Sequence, residues 1–474
     1  MLVITTNTSL VFSQPFTFFN KKVTIDESNQ SIRATIPFDE GYYIVGISGI
    51  EDRFLHFAQL DKEGTVLNHH LLDTTDGLSG GNDFIETSDG HLAVLHGKFV
   101  SETNTKIVLV KFTKEGEILW IKHYGNEGFD SAGGVITTKD GGFAIVGTLQ
   151  VGEQEIAIYT IKTDAEGEVE WENHYCLKRS CLGFTIAETI NGGYILGGVS
   201  DTEDNADDMY IVKIDSIGNQ IWEKNIGFGR NEPACRMYVL ENENFLLEGG
   251  VRENNIKKNY YAKLDTEGDI IWEKKYVIGT HDATIQTPLV FREDGGFIGV
   301  SFKLTDDYIT YPLIMNFDSS ANLLWMKHIT SDLFADNYVR DIDKIEGGYV
   351  LTGWKHNTPQ HGWLVTIDEE GNFCEELGCV ETVVDIENTE AQRHRGFLQI
   401  SPNPVRGQAT IEYQIPKEGV LKVYDYLGRL IDNRILDIGS SSLILEVGEW
   451  LSGVYLYSVE IEGERVEGGK LVVE

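Results

Sequence analysis

Gly77-Leu78-Ser79-Gly80-Gly81 has the Gly-x-Ser-x-Gly spacing that in serine hydrolases marks a strained strand-to-helix turn projecting a nucleophile. Here it sits in a Gly-rich link with no helix expected to follow, so Ser79 is read as backbone and no catalytic residue is assigned. The run Asp201-Thr202-Glu203-Asp204-Asn205-Ala206-Asp207-Asp208 gathers carboxylates that suit a hard cation. It lacks the turn Gly and the final Glu of an EF-hand loop, which favours a solvated charge run and no metal. Asp130, Glu232 and Asp336 occupy one equivalent place in a repeat, twelve residues before its marker Gly or the Asn that replaces it. They form a candidate acidic rim for a cation or a sugar hydroxyl; the competing reading has each carboxylate accepting backbone N–H bonds in a turn. Trp354, His356 and His361 fall in one expected loop, with Arg230 and Arg252 expected on the same face. An exposed Trp beside polar groups can stack on a sugar ring, so these eight residues are the candidate ligand-binding set.

The five cysteines divide by spacing. Cys176 and Cys181 are five apart, as are Cys374 and Cys379, so each pair is a candidate local disulfide in an oxidising compartment. Cys235 is left as a small buried apolar residue. No Cys/His cluster is dense enough for zinc, and no cofactor is expected.

Composition sets the class of scaffold that must position these residues. Across 474 residues, 39 Lys+Arg against 75 Asp+Glu leave a net charge of −36, which repels nucleic acid and anionic membrane. Fifty Gly against nine Pro, with abundant β-branched and aromatic residues, is the composition of short strands joined by tight turns: an all-β chain. No apolar run approaches the roughly 18 residues of a transmembrane helix. Ser9-Leu10-Val11-Phe12-Ser13-Gln14 resembles the end of a secretory signal cut after Ser13, so residues 1–13 are read as a signal remnant.

A repeat dominates residues 14–380. One unit reads Asp140-Gly141-Gly142-Phe143-Ala144-Ile145-Val146-Gly147, a polar loop, Ile158-Tyr159-Thr160-Ile161-Lys162-Thr163-Asp164, a turn at Gly167, and Glu168-Val169-Glu170-Trp171. The turn residue recurs at Gly64, Gly116, Gly167, Gly218, Gly268, Ala321 and Gly371, so there are seven units of about 50 residues. Each holds four short strand-like runs, which makes a seven-bladed β-propeller. Trp120, Trp171, Trp222, Trp272 and Trp325 share one position and are read as packing between blades. The seventh unit lacks its Trp strand, whereas Phe16 to Ile25 is a spare strand before the first. That spare strand is expected to complete the blade of residues 337–374 and remove an exposed edge.

Residues 381–396 are acidic, carry no repeat marker and read as a linker. From 397 onward the chain shows Pro402-Asn403-Pro404, Gly428-Arg429, Gly453-Val454-Tyr455-Leu456-Tyr457 and a terminal Lys470-Leu471-Val472-Val473. Physically this is six or seven short strands, a small Ig-like β-sandwich. The series resembles the C-terminal sorting domain of the type IX secretion system of Bacteroidetes. The resemblance implies handling by that machinery, removal of the domain, and often attachment of the cargo to surface lipopolysaccharide. The expected product is a monomeric binding or adhesion propeller, secreted or on the cell surface, with a glycan or protein ligand. The alternatives are a polysaccharide-active enzyme working through carboxylates at the channel mouth and a self-associating surface-layer component.

Overall fold

A computed structural model describes residues 19–24, 30–49, 54–73, 78–101, 104–152, 155–176, 180–201, 207–227, 235–253, 256–277, 288–304, 310–329, 336–356, 360–373, 381–385, 398–401, 404–415, 417–425, 429–448, 450–461 and 464–473. Six antiparallel sheets of four strands, each paired in chain order, follow one another, and a seventh sheet closes the series. The third runs Ser131–Thr137, Phe143–Gln150, Ile156–Thr163 and Val169–Tyr175. The protein is a seven-bladed propeller.

The repeat markers are explained by one turn. Asp164 Oδ1 accepts the N–H of Glu166 at 3.0 Å and of Glu168 at 2.8 Å, while Gly167 takes a φ of 77°. That left-handed conformation favours glycine; Ala321, in the same place of blade 6, holds a φ of 56°. The Gly also clears space for the preceding blade. A β-carbon on Gly167 would lie 3.0 Å from the Trp120 ring, and one on Gly218 or Gly268 would lie 2.9 Å from Trp171 or Trp222. Tyr124 and Tyr175 then donate to the carbonyls of Gly167 (2.9 Å) and Gly218 (2.7 Å). The periodic tryptophans therefore seal blade against blade.

Each blade-to-blade interface holds its own buried apolar cluster. Val45, Phe57 and Phe112 belong to that between blades 1 and 2, and Ile32, Leu60 and Leu364 to that between blades 7 and 1. Every large apolar side chain buried there contributes roughly 1.5–3 kcal/mol.

Blade 7 is completed by the other end of the chain. Asn20–Thr24 lies antiparallel on His361–Asp368, with Asn20 opposite Val365 and Val23 opposite Gly362. Phe19 N–H donates to Thr366 Oγ1 at 2.8 Å. A further strand, Glu381–Asp385, runs parallel to Asn20–Thr24 on the outer side. The stretch expected to be linker thus begins as a fifth strand. Its Thr382-Val383-Val384 core is β-branched and the closing strand offers an unpaired edge, a pairing that no repeat marker announces.

The C-terminal residues form two sheets. One orders Leu398–Ser401, Gln408–Ile415 and Gly439–Glu446; the other orders Leu430–Leu436, Gly419–Tyr424, Gly453–Ile461 and Glu464–Val473. Ile411, Leu421, Val459 and Leu471 are fully buried between them. Among the described residues no helix is long and apolar enough to cross a membrane.

Candidate functional site

The first strand of each blade lines the propeller axis, and in several blades it carries a one-residue bulge. The register shifts across Arg33 in blade 1, Gly133 in blade 3, Phe184 in blade 4 and Arg340 in blade 7. A bulge re-aims its own side chain and the next. Asp341 follows the bulge of blade 7. Its Oδ2 accepts the N–H of Thr35 in blade 1 at 2.9 Å, and its Oδ1 accepts that of Ile342 at 3.0 Å. Asp83 of blade 2 repeats the arrangement, accepting the N–H of Val135 in blade 3 at 2.9 Å.

Burial holds the carboxyl of Asp83 above its ordinary range and that of Asp341 up to about 6, and Arg236 acts against both shifts. Asp83 adds to the rise at Asp341. These groups belong to blades 2, 5 and 7, which are not neighbours and meet only across the axis. Asp343, two residues along, is pushed up first by burial and then by Asp341, and its Oδ2 is buried without a hydrogen-bond partner among the described residues.

Arginine and aromatic groups complete the cluster. Tyr338 stacks on Trp354 with ring centroids 5.0 Å apart and planes 19° apart. The guanidinium carbons of Arg340 and Arg33 lie 4.8 and 5.4 Å from the Trp354 centroid. Burial works against the charge of Arg340, as does Arg236. Guanidiniums gathered within electrostatic reach of one another favour a bound anion, and their planar forks match carboxylate and sulfate oxygens. Burial brings the Asp341 carboxyl up to about 6, a direction that favours proton exchange by this group.

The residues singled out from sequence are dispersed. Trp354 lies within the strand Gly348–His356, where the ladder continues past Gly353, so it is not in a loop. Its ring is engaged by Tyr338 and the two guanidiniums. His356 and Asp336 are opposite each other in the same ladder. His361 begins the next strand; burial and then Lys22 depress it to about 4, so it is neutral at physiological pH. Arg252 is near the end of a blade 5 strand, opposite Lys257. Asp130 accepts the N–H of Asn126 at 2.8 Å and of Gln150 at 3.2 Å, bracing a turn between blades 2 and 3. Arg230 and Glu232 lie outside the described residues. Ser79 is on the strand Leu78–Glu86, opposite Gly97, with no helix following.

Cys176 and Cys181 form a disulfide with their Cα atoms 6.2 Å apart. Cys235 is a buried free thiol, raised to about 12 by burial. Cys374 and Cys379 are outside the described residues. Arg33, Arg236, Arg340, Asp83, Asp341 and Asp343 were not singled out from sequence. The available signal was charge in the middle of an innermost strand, where blades 3 and 4 have Gly134 and Thr185.

In the C-terminal sandwich, Asp425 and Arg429 close one turn: Arg429 N–H donates to Asp425 Oδ1 at 2.9 Å and its Nε–H to Oδ2 at 2.7 Å. Tyr455 is buried and donates to the Leu451 carbonyl at 2.8 Å. Gly453 opens a strand, Lys470 lies opposite Leu456 and Pro404 is exposed; Pro402, Asn403 and Gly428 are outside the described residues. Residues 399–474 match the secretion system C-terminal sorting domain. The sorting domain directs export through the type IX secretion system to the extracellular space or cell surface.

No curated protein matches the chain. Among solved structures it is similar to a polysaccharide lyase, the PL25 ulvan lyase bound to -[GlcA(1-4)Rha3S]-, at 8% identity over 74% of this chain and 95% of that one, with a TM-score of 0.51. A second structure of a PL25 ulvan lyase gives the same values. Polysaccharide lyase Uly1 is similar at 9% identity over 71% and 89% of the two chains, with a TM-score of 0.45. The ulvan lyase likeness concerns the propeller fold.

Proposed function

We propose that the exported chain is a binding propeller whose axis takes an acidic extracellular glycan, one bearing uronate or sulfate groups. The observation that carries this reading is the gathering of Arg33, Arg236 and Arg340 toward the axis from blades 1, 5 and 7, with two of them held against Trp354. The carboxylates among them are tied to backbone N–H groups of neighbouring blades or biased by burial toward their neutral forms. In this reading Trp354 orients guanidiniums, and the sugar's anionic groups provide the affinity. In this reading the binding unit is a single propeller, a view supported by the clustered groups all coming from one chain.

A second reading is a polysaccharide-active enzyme. It is favoured by Asp341, which burial holds near 6 beside Asp343, and by the similar propeller that is a lyase seen with an acidic saccharide. Both readings are tested by presenting the full chain with uronate-bearing, sulfated and neutral polysaccharides while following binding and release of oligosaccharides. Saturable binding to acidic members without release supports the binding module. Release that Asp341→Asn abolishes supports the enzyme. Equal binding to neutral members, or none to any, contradicts both.

A further inference from the structure

On the face of the disc that carries the tight turns, blades 2 and 3 share a clamp that blade 4 lacks. In blade 3, Lys162 Nζ lies beneath the interface to the next blade and reaches Asp140 Oδ2 at 2.9 Å and Glu170 Oε2 at 3.0 Å. In blade 2, Lys111 Nζ meets Asp89 Oδ2 at 2.8 Å. Lys213 is the same residue of blade 4: each of the three lysines lies opposite the blade's Trp, at Trp120, Trp171 and Trp222. The carboxylates are gone. Asn191 stands where Asp89 and Asp140 stand, and Ile221 where Glu170 stands.

The lysine is retained although its counter-ions are lost. Lys213 Nζ sits 6.0 Å from the Trp222 centroid and 5.6 Å from that of Phe245. Its one hydrogen bond among the described residues is to the Thr266 carbonyl, at 2.8 Å. A cavity of about 240 Å³ opens at this place, walled by Lys213, Asn191, Ile190, Ile221, Val239 and Phe245. At about 30 Å³ per water molecule it has room for roughly eight small groups. Two carboxylates also reach its wall. Asp215 is taken up by the N–H groups of Ile217 and Asn219 and the Asn219 amide, whereas Glu243 comes from blade 5 on the other side.

We propose that this cavity is a binding site for a small aliphatic carboxylate, whose anionic end takes the place of the missing Asp on Lys213 and whose stem lies on Ile190, Ile221 and Val239. The repeat supplies the argument: two blades place a carboxylate on this lysine from within the chain, and the third borders a cavity with neither carboxylate in place, whereas the larger cavity of about 390 Å³ beside Lys162 has Asp140 and Glu170 in its wall. The pocket is separate from the axial cluster and independent of the glycan reading.

The test uses the full chain with butyrate as probe and butyramide as its neutral analogue, followed by ligand-observed NMR or calorimetry. Saturable butyrate binding with at least tenfold weaker butyramide binding is expected. Asn191→Asp restores the clamp from within and is expected to lower butyrate affinity at least tenfold while raising the melting temperature. Blade 5 has the same replacements, Asn242 and Ile271 around Lys263, and Ile271 is outside the cavity wall, so Ile271→Glu controls for a general effect of added charge and is expected to leave binding unchanged. No saturable binding to the wild-type chain, equal binding of the two probes, or undiminished binding in a folded Asn191→Asp chain overturns the proposal.

Discussion

The indole N–H of Trp363 donates to Asn20 Oδ1 at 2.7 Å, joining two residues 343 positions apart and fastening the first strand of the propeller to its last blade. Both groups are buried, so neither has water as a substitute partner. Replacing Asn20 by Ala leaves a buried donor unsatisfied and is expected to cost about 1–3 kcal/mol in denaturant unfolding. Deleting residues 14–26 removes the closing strand altogether and is expected to abolish cooperative melting. A deleted chain that melts as sharply as the parent contradicts the closure.

Two glycines separate backbone strain from packing. Gly192 has a φ of 80° and nothing within 4 Å of a β-carbon, so Gly192→Ala is expected to cost about 1–2 kcal/mol from the left-handed backbone alone. Gly167 has the same strain, and an added β-carbon also meets Trp120 and Lys122. Overpacking adds about 1–3 kcal/mol, so Gly167→Ala is expected to be the more destabilising in the same unfolding experiment. Equal losses would refute the seal between blades.

The turn and the Trp it carries were legible in the sequence because each rests on a single-residue requirement: positive φ at Gly167 and a ring to cover it. Closure was legible because blade 7 lacks a strand and the N-terminus holds one. The axial cluster was not. Which face Arg33, Arg340 and Asp341 present depends on bulges, and a one-residue shift moves a side chain to the other face without altering the apolar pattern that announces the strand. Asp130 recurs with the rim residues in sequence, yet it braces backbone; position in a repeat does not distinguish a turn brace from a ligand. The strand Glu381–Asp385 was hidden for another reason, since its partner edge is made by residues 361 positions earlier in the chain.

Glu248 gives a pH signature. It is buried between blades 5 and 6, accepts the Tyr238 hydroxyl at 3.0 Å, and burial raises it from 4.5 to about 7. The folded state holds this proton more tightly than the unfolded state, so wild-type stability falls as pH rises from about 4.5 through 7. Glu248→Gln removes that dependence while keeping an acceptor for Tyr238. It is expected to be more stable than the parent by on the order of 3 kcal/mol above pH 7 and equal to it below pH 4.5, in urea titrations across that range. A constant difference at all pH values contradicts the assignment.

For the sorting domain, removing residues 465–474 deletes most of the strand Glu464–Val473 and with it the buried Leu471 and Val473. The truncated protein is expected to keep a folded propeller and to remain in the periplasm of a host with the secretion system. Residues 381–474 fused to an unrelated periplasmic protein are expected to carry it to the surface. Surface exposure of the truncated chain, or retention of the fusion, contradicts the sorting role.

The central claim, recognition of an acidic glycan at the propeller axis, is tested most directly by calorimetry of the full chain with a uronate-bearing or sulfated polysaccharide to which it binds. The comparison is between the parent and the double variant Arg33→Gln with Arg340→Gln, whose melting curve establishes that it is folded. The account predicts at least a tenfold loss of affinity in the folded variant and weakening of the parent's binding as salt rises. Unchanged affinity in a folded double variant would contradict it.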